Sequence, residues 1–164
     1  MKFPAALLLA LLARASLSAL SLGPEPSQND GLDPSVLAKP PVDGWPTYNG
    51  DYSGRRFSTL TKINDQNVKA LSLAWMYQLP RNSAAPGGRL AGNPLVVNGL
   101  MYITSPDKVW ALDARTGREL WAYTWTSKGG IHLGDRGAGM YGNALHFETQ
   151  DCTLVSRNLG GGKV

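Results

Sequence analysis

The sequence predicts an all-β protein: an incomplete β-propeller of about two to two and a half blades, behind an N-terminal signal peptide. Three observations lead there. From Trp45 onward helical periodicity is scarce, and short apolar runs separated by turn residues take over. The chain also repeats itself at a spacing of 45, which places Asn98 on Asn143, Tyr102 on Phe147, Thr104 on Thr149, Val109 on Leu154, Gly117 on Gly162 and Arg118 on Lys163. Finally, Trp75 in LAWMYQL lies 46 residues before Trp121 in ELWAYTW, so a large ring recurs once per unit. A propeller blade has this length, roughly 40 to 50 residues in four strands.

The opening MKFPAALLLALLARASLSALS (residues 1–21) has a positive start at Lys2 and an apolar run from Ala5 to Ala13. Small residues then offer cleavage after Ala15, Ser18 or Ser21. The run is shorter than the roughly 20 residues a bilayer requires, and Arg14 interrupts it. This predicts a periplasmic or secreted protein with no membrane span once the signal is removed. Residues 22–44 hold five prolines and few large apolar groups, the composition of a linker or draped arm rather than a core element. Residues 45–164 are the expected partial propeller.

Within that region Ile63–Leu73 (INDQNVKALSL) is the single helical candidate, one or two turns long, with apolar residues at Ile63, Val68, Leu71 and Leu73. Pro94–Val97 reads as a strand, and Asn98-Gly99 as a hairpin turn, because both residues tolerate positive φ. Leu100–Thr104 is the next strand, apolar nearly throughout, as suits a sheet packed on both faces. Lys108–Asp113 and Arg118–Tyr123 form the outer pair, joined by Ala114-Arg-Thr-Gly117. Gly117 is the expected left-handed residue there, and the Asp113 and Thr116 side chains can bond turn amides. Asp113, Arg115 and Glu119 are accordingly assigned to turn chemistry and solvated edges. Trp121 is placed to dock between neighbouring blades.

The formal charge of +4 falls to about +2 without Lys2 and Arg14, and the other basic residues alternate with acidic ones. That excludes nucleic acid or an anionic membrane as the evident partner. The lone Cys152 allows no internal disulfide and reads as a thiol in or beside a strand. His146 falls inside a strand with no partner at metal-ligand spacing. No phosphate loop, zinc pattern or nucleophile elbow is present.

Three stretches resemble the N-terminal part of the eight-bladed quinoprotein dehydrogenases, which use pyrroloquinoline quinone (PQQ). The first is WPTYNGDYSGRRFS (Trp45–Ser58), followed by Leu60, Ile63-Asn64 and Asn67-Val68. The second is PLVVNGLMYIT (Pro94–Thr104) with ALDARTGRELW (Ala111–Trp121). The third is Asp135-Arg-Gly137 with Tyr141-Gly142 and Thr149-Gln-Asp151. The resemblance implies blades of PQQ-type repeats and a quinone near the propeller axis with Ca²⁺ or a lanthanide beside it. It implies oxidation of an alcohol or sugar hydroxyl by hydride transfer to the quinone with metal assistance. Electrons would pass to an acceptor such as a cytochrome c or a membrane quinone. By the same resemblance Arg136 contacts the quinone, as a permanently charged forked donor suits; the plain alternative is a surface arginine paired with Asp135. Gly130, Ile131 and His132 are possible rim residues of that pocket, with a solvated loop as the alternative for His132.

Three departures qualify the resemblance. Gly130 and Ile131 stand where alcohol-oxidising members carry adjacent cysteines. Ala91 stands where a cofactor-contacting glutamate is common. The metal ligands and the catalytic aspartate belong to blades outside this sequence, so no catalytic or metal residue is assigned. About 120 residues follow Trp45, fewer than the four blades of the smallest closed propeller need. The expectation is the first part of a longer enzyme, inactive on its own. The runner-up is a non-catalytic periplasmic propeller of PQQ-type repeats that serves as a protein-binding scaffold.

Overall fold

The computed structural model describes residues 31–80, 90–129 and 136–160; the expected signal at 1–21 lies outside them. Seven strands form two antiparallel sheets. β1 (Leu95–Val97), β2 (Leu100–Ser105), β3 (Lys108–Asp113) and β4 (Glu119–Thr124) make a four-stranded meander, and β5 (Ala138–Tyr141), β6 (Ala144–Glu148) and β7 (Leu154–Asn158) a three-stranded one. Among the described residues the only helical pieces are two 3₁₀ turns, Pro34–Ala38 and Val68–Ala70, and no helix is long and apolar enough to cross a membrane.

Turn chemistry sets the first sheet. Asn98 and Gly99 both take positive φ, 50° and 78°, which suits the twist of a two-residue hairpin. After β3 the Asp113 carboxylate accepts from the Arg115 and Thr116 amides at 2.8 and 3.1 Å, and Gly117 turns the chain at φ 71°. Gly117 is required twice over: a Cβ there would lie 2.4 Å from the Trp75 ring.

The second sheet repeats the first with uneven spacing. The inward pair Val97↔Leu100 corresponds to Met140↔Leu145, an offset of 43 on one strand and 45 on the other. The later hairpin gains one pair, Tyr141↔Ala144, before its turn at Gly142-Asn143. Asn98 and Asn143, matched by the 45-residue alignment, thus take the first and second turn positions. At the next turn the spacing of 45 is kept, with Asp107 at φ 63° and Cys152 at φ 60°.

The core lies between the sheets. Leu95, Val97, Leu100, Tyr102, Val109 and Ala111 from the first pack with Met140, Leu145, Phe147 and Val155 from the second. Trp121 and Tyr123 of β4 lean on it, with ring centroids 6.0 Å from Tyr102 and Phe147 respectively. β3 is buried on both faces, as Val109, Trp110, Ala111 and Leu112 are each at most 2% exposed.

Two stretches differ from what their composition suggests. In the proline-rich arm Leu32 and Leu37 are core residues, each 5% exposed. Leu32 donates its amide to Gly142, and Leu37 accepts from Tyr52. Two leucines anchor a segment that is otherwise largely exposed and built of turn formers. The helical candidate Ile63–Leu73 yields only Val68–Ala70. Its four apolar residues are all exposed, so no packed face offsets the cost of helix nucleation. The Asn64 and Asn67 side chains also cap each other's backbone amides, a local alternative to helix.

Candidate functional site

The segments that enter β1 and β5 converge. Gly92 lies against Arg136 and Gly137 so closely that a Cβ on Gly92 would be 2.5 Å from the Gly137 Cα. Only a residue without a side chain permits that approach. One residue on, the Asn93 amide group donates to the Tyr48 carbonyl at 2.8 Å. Trp45 is bonded in both directions to Val96, at 2.7 and 2.9 Å. The opening segment, the first blade strand and the Arg136-Gly137 dipeptide therefore meet at one place, although they are some 45 residues apart in sequence.

Arg136 stands exposed at the head of β5, two residues before Ala138. Gly130, Ile131 and His132 lie outside the described residues. Ala91 is exposed and presents only a methyl group beside this junction. His146 is half-buried within β6, and Cys152 is an exposed free thiol at the turn between β6 and β7. Among the described residues no group of three or more His, Cys, Asp or Glu could hold a metal ion.

The opening segment is itself ordered by polar contacts. Asp51 accepts from the Ser53 amide at 2.8 Å and from its hydroxyl at 2.5 Å, and the Arg55 guanidinium lies 3.9 Å away. The Ser53 hydroxyl bond is the main influence holding the Asp51 carboxyl below its ordinary pKa, against burial. Arg56 stacks over the Tyr48 ring at 4.9 Å and donates to Asn49 Oδ1.

A second cluster, which carried no role in the sequence, fixes the other end of the segment that leads to Arg136. The Asp151 carboxylate accepts from the Trp125 indole N–H and from the Lys128 amide at 3.1 Å, and also from the Thr149 hydroxyl. Thr149, then Lys128, then Trp125 hold its carboxyl well below the usual carboxylate range. Next to it Asp107 binds Gln150 twice, by the backbone amide and the side-chain amide, each at 2.8 Å. The Trp125 amide closes the pair on the Asp107 carbonyl at 2.7 Å. The sequence signal was present in Thr149-Gln-Asp151, but only the spacing of the folded turns shows that these residues lock one sheet to the next.

A protein-family model described as the β-propeller domain of PQQ glucose, ethanol and alcohol dehydrogenases matches residues 45–160. The dehydrogenase subunit of the quinone alcohol dehydrogenase of Gluconobacter oxydans is 38% identical over 127 residues, which cover 73% of this chain and 16% of that protein. The corresponding subunit of Acetobacter aceti is 33% identical over 95% of this chain and 22% of its own length. Among solved structures, a quinohemoprotein alcohol dehydrogenase of Pseudomonas putida HK5 superposes with a TM-score of 0.71 at 29% identity, over 84% of this chain and 21% of that one. A europium-containing methanol dehydrogenase gives 0.62 at 28%, over 77% and 23%. The chain spans about a fifth of the length of these relatives.

Proposed function

This chain belongs to the PQQ β-propeller family of glucose, ethanol and alcohol dehydrogenases, and from that premise we propose that it supplies the first blades of an exported alcohol-oxidising quinoprotein. The observation that carries the reading is the junction of Gly92, Asn93 and Tyr48 with Arg136-Gly137, which brings the three family stretches to one point.

The residues present fit a bound quinone at that point. An exposed guanidinium stands at a strand head whose backbone is pinned by the Gly92 contact. PQQ, when bound, accepts the hydride of the alcohol carbon. Arg136 would hold the quinone through forked, charge-assisted N–H donors, and the Gly92 contact would keep its backbone from drifting. The Asp151 cluster would fix where the chain from Lys128 to Arg136 begins. The metal ligands, a Ca²⁺ or lanthanide site, the proton-accepting carboxylate and the docking surface for a cytochrome c or quinone acceptor would come from other blades. An alcohol is the substrate class favoured over a sugar, because the relatives matched here are named for alcohols.

One observation favours the non-catalytic scaffold instead: Ala91 offers no carboxylate at the junction. Reconstitution separates the two. The protein, in the longest form its gene encodes, is mixed with PQQ and Ca²⁺ and followed by quinone absorbance and ethanol-dependent dye reduction. Uptake with alcohol-dependent reduction, weakened in Arg136→Ala, supports the enzyme. A folded protein that takes up no PQQ supports the scaffold.

A further inference from the structure

Arg56 takes a left-handed backbone, φ 53°, in a segment whose other left-handed positions are glycine, Gly50 at 91° and Gly54 at 70°. The remaining non-glycine residues of this kind among the described residues are Asn98, Asp107 and Cys152, short side chains at the turns between strands. Arg56 is the one long side chain in the group. A Cβ disfavours this conformation, and it persists where the contacts around it over-determine it. At Arg56 those contacts come from the guanidinium. It lies over the Tyr48 ring, 4.9 Å from the centroid, and its Nε donates to Asn49 Oδ1 at 2.9 Å. The adjacent Arg55 is engaged elsewhere, with its Nε on the Ser53 hydroxyl at 2.9 Å and its Nη2 3.9 Å from Asp51. The two arginines thus do different things: Arg55 orders its own loop, and Arg56 reaches back to an earlier turn.

That turn, Thr47–Gly50, is closed by the Gly50 amide on the Thr47 carbonyl at 3.1 Å. Its Tyr48 carbonyl accepts from the Asn93 side-chain amide at 2.8 Å and from the Trp45 indole at 3.4 Å. Asn93 follows Gly92, whose backbone lies against Arg136 and Gly137. The approach leaves no slack, because a Cβ on Gly92 would sit 2.9 Å from the Arg136 carbonyl carbon. A displaced Tyr48 carbonyl would therefore carry Asn93 and Gly92 with it, and with them the backbone of Arg136.

We infer that Arg56 is a positioning residue for Arg136: its guanidinium braces the Tyr48 turn, which holds Asn93 and so sets the strand head where the quinone-binding arginine stands. The inference rests on the quinone reading of that site. The left-handed backbone is retained because it delivers the guanidinium to Tyr48 and Asn49 together, one by its face and one by its Nε–H. Glycine would suit the backbone better and would supply no brace.

Arg56→Gly separates the two roles, since it removes the guanidinium while relieving the backbone. It is compared with the wild type and Arg56→Lys in the longest form the gene encodes, by three readouts. These are the urea midpoint, the NMR signals of isotope-labelled Asn93, Gly92 and Gly137, and PQQ affinity by quinone absorbance with Ca²⁺ present. Arg56→Gly should keep or raise the midpoint, displace the Asn93 and Gly137 signals, and raise the PQQ dissociation constant about tenfold. Arg56→Lys keeps a cation for the ring but lacks the planar fork, and should fall between the two. Unmoved Asn93 and Gly137 signals in Arg56→Gly overturn the inference, as does PQQ bound as tightly as by the wild type. A midpoint that falls together with PQQ affinity assigns Arg56 to the fold instead and overturns it too. A folded wild type that takes up no PQQ contradicts the proposed function, and the Asn93 and Gly137 signals then decide whether Arg56 positions the junction.

Discussion

Gly117 and Cys152 show how much rests on single backbone positions. At Gly117 a methyl group meets the left-handed penalty and the rigid Trp75 ring together. Gly117→Ala should cost about 2–4 kcal/mol in a urea titration, more than either effect alone. Cys152 holds the same left-handed turn position as Asp107, where aspartate is tolerated and a thiol gains nothing. The exposed Cys152→Gly should therefore stabilise the chain by about 0.5–1 kcal/mol, measured the same way. At Asp151 the folded carboxyl is held below its unfolded value near 3.9, so its contribution is complete above that pH and is lost as the pH falls towards the folded pKa. Unfolding titrations between pH 7 and 2.5 should show stability falling below about pH 4. Asp151→Asn should lower stability at neutral pH and flatten the acid dependence.

At the scale of the element, the strands of the first sheet were legible because turn residues bracket them. Asn98-Gly99 marks the start of β2 and Asp113 to Gly117 the end of β3 by chemistry that needs those residues, and the Gly117 assignment rested on its left-handed φ alone, without the Trp75 contact. The second sheet was legible in kind but not in register. The spacing of 45 matched Asn98 to Asn143, while the fold adds a strand pair before the turn, and a pattern of period two cannot distinguish a hairpin from one a pair longer. The arm was harder still: burial of Leu32 and Leu37 depends on Gly142 and Tyr52, which are distant in sequence. For the candidate site, Arg136 was singled out only through the resemblance of Asp135-Arg-Gly137 to the family tripeptide. Its contact with Gly92 and the lock formed by Asp107, Gln150 and Asp151 depend on how the two sheets stack, which no local pattern encodes. Gln150→Ala should remove one side-chain bond to Asp107 and cost about 1 kcal/mol while leaving both sheets intact by circular dichroism.

For the whole molecule, stacking is the unit of stability. Each sheet has a face it cannot bury alone; the Trp121 indole of β4 closes on the Leu159 carbonyl after β7 of the second sheet, and the Trp75 indole closes in the same way on the Ala114 carbonyl after β3 of the first. On the proposed reading, that stacking would hold Arg136, at the head of β5, where it meets the quinone. Arg136→Lys in the reconstituted protein should weaken PQQ retention by roughly 10-fold or more, as an ammonium lacks the fork. It should leave the urea midpoint unchanged, since Arg136 is exposed.

The central claim is that a recurring indole-to-carbonyl bond clamps each sheet to the segment stacked on it, and indole hydrogen exchange followed by NMR tests it most directly. The Trp75 and Trp121 indole protons should both be protected, by about 100-fold or more over a free indole, and should lose that protection together as urea is added. Exchange of either proton at the free rate, or protection of one that outlasts the other, would contradict the stacked-blade account.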